Sequence, residues 1–290
     1  RDSHATEFVP SPDDKHAVFA VHGKLFLTPI SGTAKAVQLT EGPSMDHGGA
    51  WGPDGNRILF LSDRGGHEDI YAIDSDDPDH PKLVEAHKFK VTRLTDTPEA
   101  EFGVSFAPDG KRVAFLRAGR LWTMNPDGSD QRTVVGEPQV FDYDWSPDSK
   151  WLVYARRDGS SASELYIVPS GGATTENPAR NVTRYATYNG DVSWSLDGKK
   201  IVFLSDRRGK GNLMVLDLQK PLAPGASAPS ASAAVDIDWD DIHLRTETLT
   251  TAPVDEAAVS PDGAKVAFRA GGDLWAATTN GGQLTRLTTG

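Results

Sequence analysis

Polar turns and short apolar runs alternate along this chain in a unit that recurs six times. The turns are SPDD at 11–14, GPDG at 52–55, APDG at 107–110, SPDS at 146–149, SLDG at 195–198 and SPDG at 260–263. Proline presets φ, aspartate accepts hydrogen bonds from nearby backbone N–H groups, and glycine tolerates positive φ, so each sequence predicts a tight turn. The apolar runs after the turns predict strands at 17–21, 58–61, 113–116, 151–155, 201–204 and 266–268.

Two more strands are predicted in every unit, and the first of them usually carries an apolar–aromatic pair, such as Leu121-Trp122 or Leu165-Tyr166. With an innermost strand before each turn, a unit of about 40 residues holds four antiparallel strands. Small sheets that are apolar on both faces bury them by stacking radially. This predicts an all-β fold, a β-propeller of six four-stranded antiparallel blades, or six blades of a seven-bladed propeller. The predicted blades of this single domain are approximately 1–42, 43–97, 98–137, 138–185, 186–251 and 252–290.

Two of the units contain insertions. Residues 74–90 hold four aspartates and two prolines, which predicts a solvated loop. Residues 221–234 read PLAPGASAPSASAA, without charge and with little apolar area to bury, which predicts disorder.

Composition narrows the possible partners. The 290 residues carry a net charge of −11 at pH 7, and an acidic surface repels phosphate backbones, so no nucleic-acid partner is expected. Cysteine is absent, which excludes disulfides, thiolate metal sites and cysteine nucleophiles. No apolar run approaches the ~18 residues of a membrane-spanning helix, so no membrane span is expected. A periplasmic or a cytoplasmic location, in a bacterium, is compatible with these features.

Residues with catalytic or metal-binding potential are few. No GxSxG sequence is present, and none of the eight histidines has a spacing that orients a nucleophile, so no catalytic residue and no cofactor are expected. Asp236, Asp238, Asp240 and Glu247 match positions 1, 3, 5 and 12 of a calcium-binding loop. Position 6 is Asp241, where the loop requires glycine, and alternating apolar residues indicate a strand instead. These four residues are a weak metal candidate.

Polar residues gather four to six places before the turns. They are Glu7, Asp46, His47, Glu101, Asp142, Asn189, Asp191, Asp255 and Glu256. In a propeller these positions begin the innermost strands, so they are expected at one mouth of a central channel. A narrow acidic mouth would favour cations and the amino termini or basic side chains of peptides. The alternative is that these side chains only solvate the rim and cap turns.

The repeated SPDG turn, with its apolar strand and a DLY or DLW strand, resembles the TolB-type propellers over nearly the whole chain. Two stretches, DYDWSPDSKW at 142–151 and DIDWDDIHLR at 236–245, are similar to the tricorn-like proteases. In that family a six-bladed propeller precedes a seven-bladed one, a PDZ domain and a serine peptidase core. The resemblance implies that this chain corresponds to most of the seven-bladed propeller, and that a seventh blade would lie beyond Gly290.

The resemblance implies a non-catalytic β-propeller module of a tricorn-like serine protease. Such a module would guide or gate peptide substrates and support assembly, with peptides or proteins and the PDZ and peptidase domains of the parent chain as partners. The alternatives are a TolB-like scaffold for protein–protein interaction and the propeller part of an amidohydrolase fusion.

Overall fold

The computed structural model describes residues 6–159, 161–220, 234–250, 252–260, 262–282 and 284–288. They form six four-stranded antiparallel sheets in which consecutive strands pair. These sheets are the six blades of a β-propeller, so the predicted fold class is confirmed. Helical structure in this part of the chain consists of two 3₁₀ helices, Leu83–Glu85 and Ile242–Leu244. No helix there is long and apolar enough to cross a membrane. Of the segment predicted to be disordered, 221–233 lies outside the described residues.

The N-terminal compact unit, Arg1–Gly136, contains sheets 1 to 3. Sheet 1 consists of β1 (Thr6–Pro10), β2 (His16–Val21), β3 (Lys24–Pro29) and β4 (Val37–Gln38). Sheet 2 consists of β5 (Asp46–Trp51), β6 (Arg57–Ser62), β7 (Asp69–Ser75) and β8 (Phe89–Arg93). Sheet 3 consists of β9 (Glu101–Phe106), β10 (Val113–Arg117), β11 (Arg120–Met124) and β12 (Arg132–Val135).

The C-terminal compact unit, Glu137–Gly290, contains sheets 4 to 6. Sheet 4 consists of β13 (Val140–Trp145), β14 (Trp151–Arg157), β15 (Ser163–Pro169) and β16 (Arg180–Asn181). Sheet 5 consists of β17 (Asn189–Trp194), β18 (Lys200–Ser205), β19 (Asn212–Asp217) and β20 (Thr246–Thr248). Sheet 6 consists of β21 (Glu256–Val259), β22 (Lys265–Ala270), β23 (Asp273–Thr278) and β24 (Thr285–Arg286).

The repeated turns join the first and second strand of each sheet. In the turn after β13, the Ser146 hydroxyl donates a hydrogen bond to Asp148 at 2.7 Å, and Asp148 also accepts the backbone N–H of Lys150 at 3.1 Å. The turn after β17 repeats the serine–aspartate bond between Ser195 and Asp197 at 2.6 Å. The short side chains thus replace backbone partners within the turn, as the sequence predicted.

Apolar side chains on the second strands point alternately to the two neighbouring sheets. On β6, Ile58 and Phe60 belong to a buried cluster with residues of sheet 1, whereas Leu59 and Leu61 belong to a cluster with Phe115 of sheet 3. The period of two along a strand explains why these runs are apolar at every position. Each compact unit is therefore held by cores that lie between consecutive sheets.

Four of the innermost strands contain an irregularity at the same position. Glu7, Gly48, Gly103 and Asp191 have φ values of 57°, 68°, 63° and 49°, and the pairing register with the second strand shifts there. A bulge of this kind bends the strand and redirects the side chains near its start. It determines where the predicted rim residues point.

The insertion between β7 and β8 is mostly exposed, as the sequence predicted, but it also has a buried anchor that was not predicted. Leu83 is fully buried in the apolar cluster between sheets 1 and 2, and Ala86 is also buried. The backbone closes the loop at its base, where Asp76 N donates to Lys88 O at 2.9 Å. Its aspartates and prolines made the segment look wholly polar, but one leucine anchors it.

Candidate functional site

Asp46, the first residue of β5, is buried among polar partners of sheets 1 and 2. Its carboxylate accepts hydrogen bonds from Ser62 at 2.6 Å, Arg64 at 2.9 Å and Ser44 at 3.0 Å. Lys24 of β3 lies 3.3 Å away. Burial alone would raise the pKa of Asp46, but the hydrogen bonds from Ser62 and Arg64 outweigh burial and hold that pKa below its usual value. Asp46 therefore connects two sheets and does not face solvent.

Glu101, the first residue of β9, has the same role between sheets 2 and 3. Arg117 Nε and Nη2 donate to Glu101 Oε1 at 2.8 and 2.6 Å, and both side chains are buried. The other carboxylate oxygen accepts the Thr95 hydroxyl and the backbone N–H of Ile70. Both oxygens of the Glu101 carboxylate therefore accept hydrogen bonds from groups within the protein.

Asn189 begins β17 and links sheets 4 and 5. The Ser205 hydroxyl donates to Asn189 Oδ1 at 2.9 Å, and the Ser163 hydroxyl donates to the Asn189 carbonyl at 2.7 Å. Asp46, Glu101 and Asn189 are therefore equivalent first residues of inner strands. All three are fully buried, so none of them presents its side chain to a ligand in solvent.

Glu7, His47 and Glu68 form a more open polar group in the N-terminal unit. Glu7 Oε2 accepts the backbone N–H of Gly48 at 2.6 Å, and Glu7 Oε1 lies 3.9 Å from His47 Nδ1. The other ring nitrogen of His47 is hydrogen-bonded to Glu68. One imidazole is thus placed between two partly exposed carboxylates.

Asp142 and Asp144 of β13 bind the backbone of the next inner strand. Asp142 Oδ2 accepts the N–H of Val192 at 2.8 Å, and Asp144 Oδ2 accepts the N–H of Trp194 at 2.7 Å. Side chains two residues apart lie on the same face of a strand, so the DYDW sequence places both carboxyls towards β17. Asp142 was predicted as a rim residue and Asp144 was not, although the alternation of side chains along DYDW indicates that both share one face.

These two carboxyl groups are crowded by protein atoms and keep only partial contact with solvent. Burial raises the pKa of Asp142 to about 6, and the neighbouring charge of Asp191 adds to the effect. Burial raises the pKa of Asp144 to about 7, although the N–H groups of Trp194 and Trp145 oppose the shift. Asp144 can therefore change its charge near neutral pH.

The remaining predicted rim residues, Asp191, Asp255 and Glu256, are exposed in the C-terminal unit. The Tyr188 hydroxyl donates to Asp191 at 3.4 Å, and burial raises the pKa of Tyr188 to about 12. Asp255 lies 4.0 Å from Arg269, and both side chains are more than half exposed. These three acids are in contact with solvent, and Asp255 also has Arg269 as a loose partner.

An apolar cavity of about 640 Å³ lies beside Asp255 in the C-terminal unit. Its walls include Leu249, Pro253, Phe268, Ala270, Trp275 and Leu284. A concave apolar surface with one carboxylate at its edge can bind an apolar side chain that carries a nearby amino group. This cavity was not predicted from the sequence, because its walls come from the β20–β21 connection, sheet 6 and the segment before β24.

The weak calcium candidates are neutralised by a basic side chain. Lys220 Nζ lies 3.0 Å from Asp238 and 3.4 Å from Asp240, and its hydrogen bond holds the pKa of Asp238 below its usual value. Asp236 is 3.4 Å from the amide of Gln219, and Glu247 lies on β20. An ammonium group thus occupies the position between two of the carboxylates where a cation would be needed.

The curated proteins that are similar to this chain include a peptidase and TolB proteins. Dipeptidyl-peptidase 5 of Porphyromonas gingivalis is 24% identical over 275 residues, covering 71% of this chain and 38% of that protein. The Tol-Pal system protein TolB of Anaeromyxobacter dehalogenans is 30% identical over 95 residues, covering 31% of this chain and 19% of TolB. The chain thus spans well under half the length of both relatives. No protein-family model matches it.

Solved structures extend the likeness at the level of fold. The tricorn protease aligns with a TM-score of 0.61 at 13% identity, covering 98% of this chain and 34% of that one. TolB from Acinetobacter baumannii aligns with a TM-score of 0.57 at 18% identity, covering 96% of this chain and 61% of the TolB chain. A prolyl endopeptidase structure aligns with a TM-score of 0.65 at 12% identity, covering 98% of this chain and 42% of that chain. The chain is a β-propeller related in fold to the tricorn protease, to TolB and to the propellers of prolyl peptidases.

Proposed function

We propose that this chain is the non-catalytic propeller module of a larger serine peptidase, in which it binds peptide segments, guides them towards a peptidase core and supports assembly. Two facts support the proposal. The match to a dipeptidyl-peptidase runs over 71% of this chain but only 38% of that enzyme. The sequence also lacks a GxSxG nucleophile elbow. PDZ and peptidase domains of the parent protein are the proposed partners.

The cavity beside Asp255 is the observation that carries this proposal. Its apolar walls accept the first side chain of a peptide, while the Asp255 carboxylate attracts the peptide's amino terminus. Because Asp255 is exposed and Arg269 competes for it, the electrostatic part of this contact is weak and sensitive to salt. Most of the affinity then comes from apolar burial in the cavity.

Calorimetric titration with short peptides tests this function. Peptides that begin with leucine and carry a free amino terminus are expected to bind more tightly than their N-acetylated forms. Asp255→Asn is expected to reduce that preference by up to about fivefold, which corresponds to an exposed ion pair of at most ~1 kcal/mol. Ala270→Phe fills the cavity and is expected to abolish binding, and no variant is expected to hydrolyse peptide.

Glu256→Gln is the matched control, because Glu256 is an exposed neighbouring carboxylate outside the cavity wall. It is expected to leave peptide affinity unchanged. Equal affinity for free and acetylated peptides, or binding that survives Ala270→Phe, would contradict the proposed use of this cavity.

The local match to TolB favours a second candidate, a scaffold that binds folded proteins and serves no enzyme. Such a scaffold uses extended surface contacts, so its binding would be insensitive to Ala270→Phe. The sequence that follows Gly290 in the natural gene distinguishes three candidates: the peptidase module, the TolB-like scaffold and the amidohydrolase fusion. A peptidase core there supports the module proposed here, and a metal-dependent hydrolase supports the fusion.

A further inference from the structure

The insertion between β7 and β8 is a closed and anchored loop. Leu83 is buried beneath it, and the Ser75 hydroxyl donates to the backbone oxygen of His80 at 2.7 Å. Asp76 N donates to Lys88 O at 2.9 Å, which ties the two ends of the loop together. Side chains at the top of such a loop are held in fixed positions, unlike those of a loop without an anchor.

Three side chains with metal-binding atoms meet on this loop. Asp77 Oδ2 lies 3.2 Å from His80 Nδ1 and 3.7 Å from His87 Nδ1. The two imidazole rings stack with centroids 4.8 Å apart and planes inclined by 24°. The Asp77 side chain is only 12% exposed, and its Oδ2 also accepts the backbone N–H of His87 at 3.1 Å. Residues ten apart in sequence therefore converge on one carboxylate oxygen.

These separations are close to those of a tetrahedral zinc site. With Zn–N and Zn–O distances of about 2.0–2.1 Å, two ligand atoms of a tetrahedron stand roughly 3.3–3.4 Å apart. The two measured distances to Asp77, 3.2 and 3.7 Å, lie on either side of that separation. One ligand atom from each residue lies within 4.8 Å of the other two, so small side-chain rotations bring all three to bonding distance.

We propose that Asp77, His80 and His87 bind a divalent zinc ion that cross-links the top of the β7–β8 loop, with a water molecule as the fourth ligand. Two imidazole nitrogens and one carboxylate suit zinc, whereas calcium and magnesium prefer sites made only of oxygen ligands. The chain has no cysteine, so thiolates do not compete for the ion. This site is independent of the peptide-binding function proposed above.

Binding exchanges the present hydrogen bonds of the histidines for metal bonds. His80 Nδ1 is 3.2 Å from Asp77, and His87 Nδ1 is 3.0 Å from the backbone oxygen of Glu85. In the zinc-bound state each neutral ring carries its proton on Nε2, so that Nδ1 offers its lone pair to the metal. The backbone N–H of His87 keeps its bond to Asp77 and orients that carboxylate.

Calorimetric titration of the chelator-treated chain with ZnCl₂ tests the site. The expected result is one zinc ion per chain with micromolar or tighter affinity, and no binding of Ca²⁺ or Mg²⁺ at the same concentrations. His80→Ala and His87→Ala are each expected to weaken zinc binding at least tenfold, and the double variant to abolish it. His67→Ala is the matched control, because His67 is exposed in the connection between β6 and β7 and lies outside the cluster.

The rate of protease cleavage within residues 76–88 is a second measure of zinc binding, and it does not depend on the heat of binding. Zinc is expected to slow this cleavage in the unaltered chain and in His67→Ala, but not in the double variant. Circular dichroism establishes that the variants are folded. The proposal is overturned if the unaltered chain takes up no zinc, if the double variant still binds one ion, or if zinc leaves cleavage of this loop unchanged.

Discussion

Polar residues at the starts of the inner strands divide into buried connectors and exposed acids. Glu101 and Arg117 form a buried pair, and removing one partner of such a pair generally costs about 3–5 kcal/mol because the other charge is left without compensation. Asp46 and Asn189 are equally enclosed. The residues available to a ligand are therefore the exposed ones, Asp191 and Asp255 among them.

Asp144 should make the stability of the folded chain depend on pH. Folding raises the pKa of this carboxyl from 3.8 to about 7, so its favourable contribution is fully present below about pH 4 and is lost as the pH rises through 7. In Asp144→Asn the side chain is neutral at every pH and can still accept the N–H of Trp194. Between pH 5 and pH 8 the stability of this variant relative to the unaltered chain should rise, by on the order of 1–3 kcal/mol.

Thermal unfolding of both proteins at the two pH values measures this change. Asp14→Asn is the control, because Asp14 is an exposed aspartate with φ 56°, a conformation that asparagine also tolerates. Its effect on the unfolding temperature should be the same at both values. A difference between Asp144→Asn and the unaltered chain that does not change with pH would contradict the raised pKa.

The sequence predicted that these polar residues lie on the inner strands, but it did not predict which of them are buried. Position before a turn is a local property, and it was enough to select Asp46 and Asp142. Burial depends on partners from other strands, such as Lys24 on β3 and Arg64 after β6, whose approach no spacing within the sequence reveals. The cavity beside Asp255 was not predictable for the same reason, because its walls come from segments that are separate in the sequence.

At the scale of elements, the strands were predictable because their signals are local. The turns carry their own hydrogen-bond acceptors, and the apolar runs on strands such as β6 are buried on both faces. The exposure of the β7–β8 insertion was predicted but its anchor was not, because the buried leucine is outnumbered by polar neighbours. Leu83 lies in the apolar cluster between sheets 1 and 2, and Val84 and Phe89 pack against the same cluster.

Leu83→Ala should release this loop. Truncating a fully buried leucine typically costs about 2–5 kcal/mol, and here the loss should appear first as opening of the loop because Leu83 is its anchor. Limited proteolysis should then cut within 76–88 earlier than in the unaltered chain, and the unfolding temperature should fall.

Leu244→Ala provides the comparison, since Leu244 occupies the other 3₁₀ helix and is 72% exposed. It should change neither cleavage nor unfolding temperature measurably. Equal behaviour of the two variants would mean that burial of Leu83 does not hold the loop.

At the scale of the whole molecule, the number of repeats predicted the number of sheets, and the comparisons relate the fold to longer proteins. Sheet 6 differs from the others in its exposure. Leu274 and Leu287 are 46% and 57% exposed, and β22 alternates between buried and exposed residues. Second strands such as β6 and β18, by contrast, are buried on both faces. One face of sheet 6 therefore has unused apolar surface.

We expect a seventh sheet, encoded after Gly290 in the natural gene, to cover this face of sheet 6. Extending the chain by the next ~40 natural residues, the length of one blade, should bury Leu274 and its exposed neighbours. Amide hydrogen exchange in β22 and β23 should slow, because opening this sheet would then expose additional apolar area. Exchange in β6 serves as the internal control and should not change. If the extension leaves exchange in sheet 6 unaltered, its open face is a permanent surface, and six blades complete the propeller.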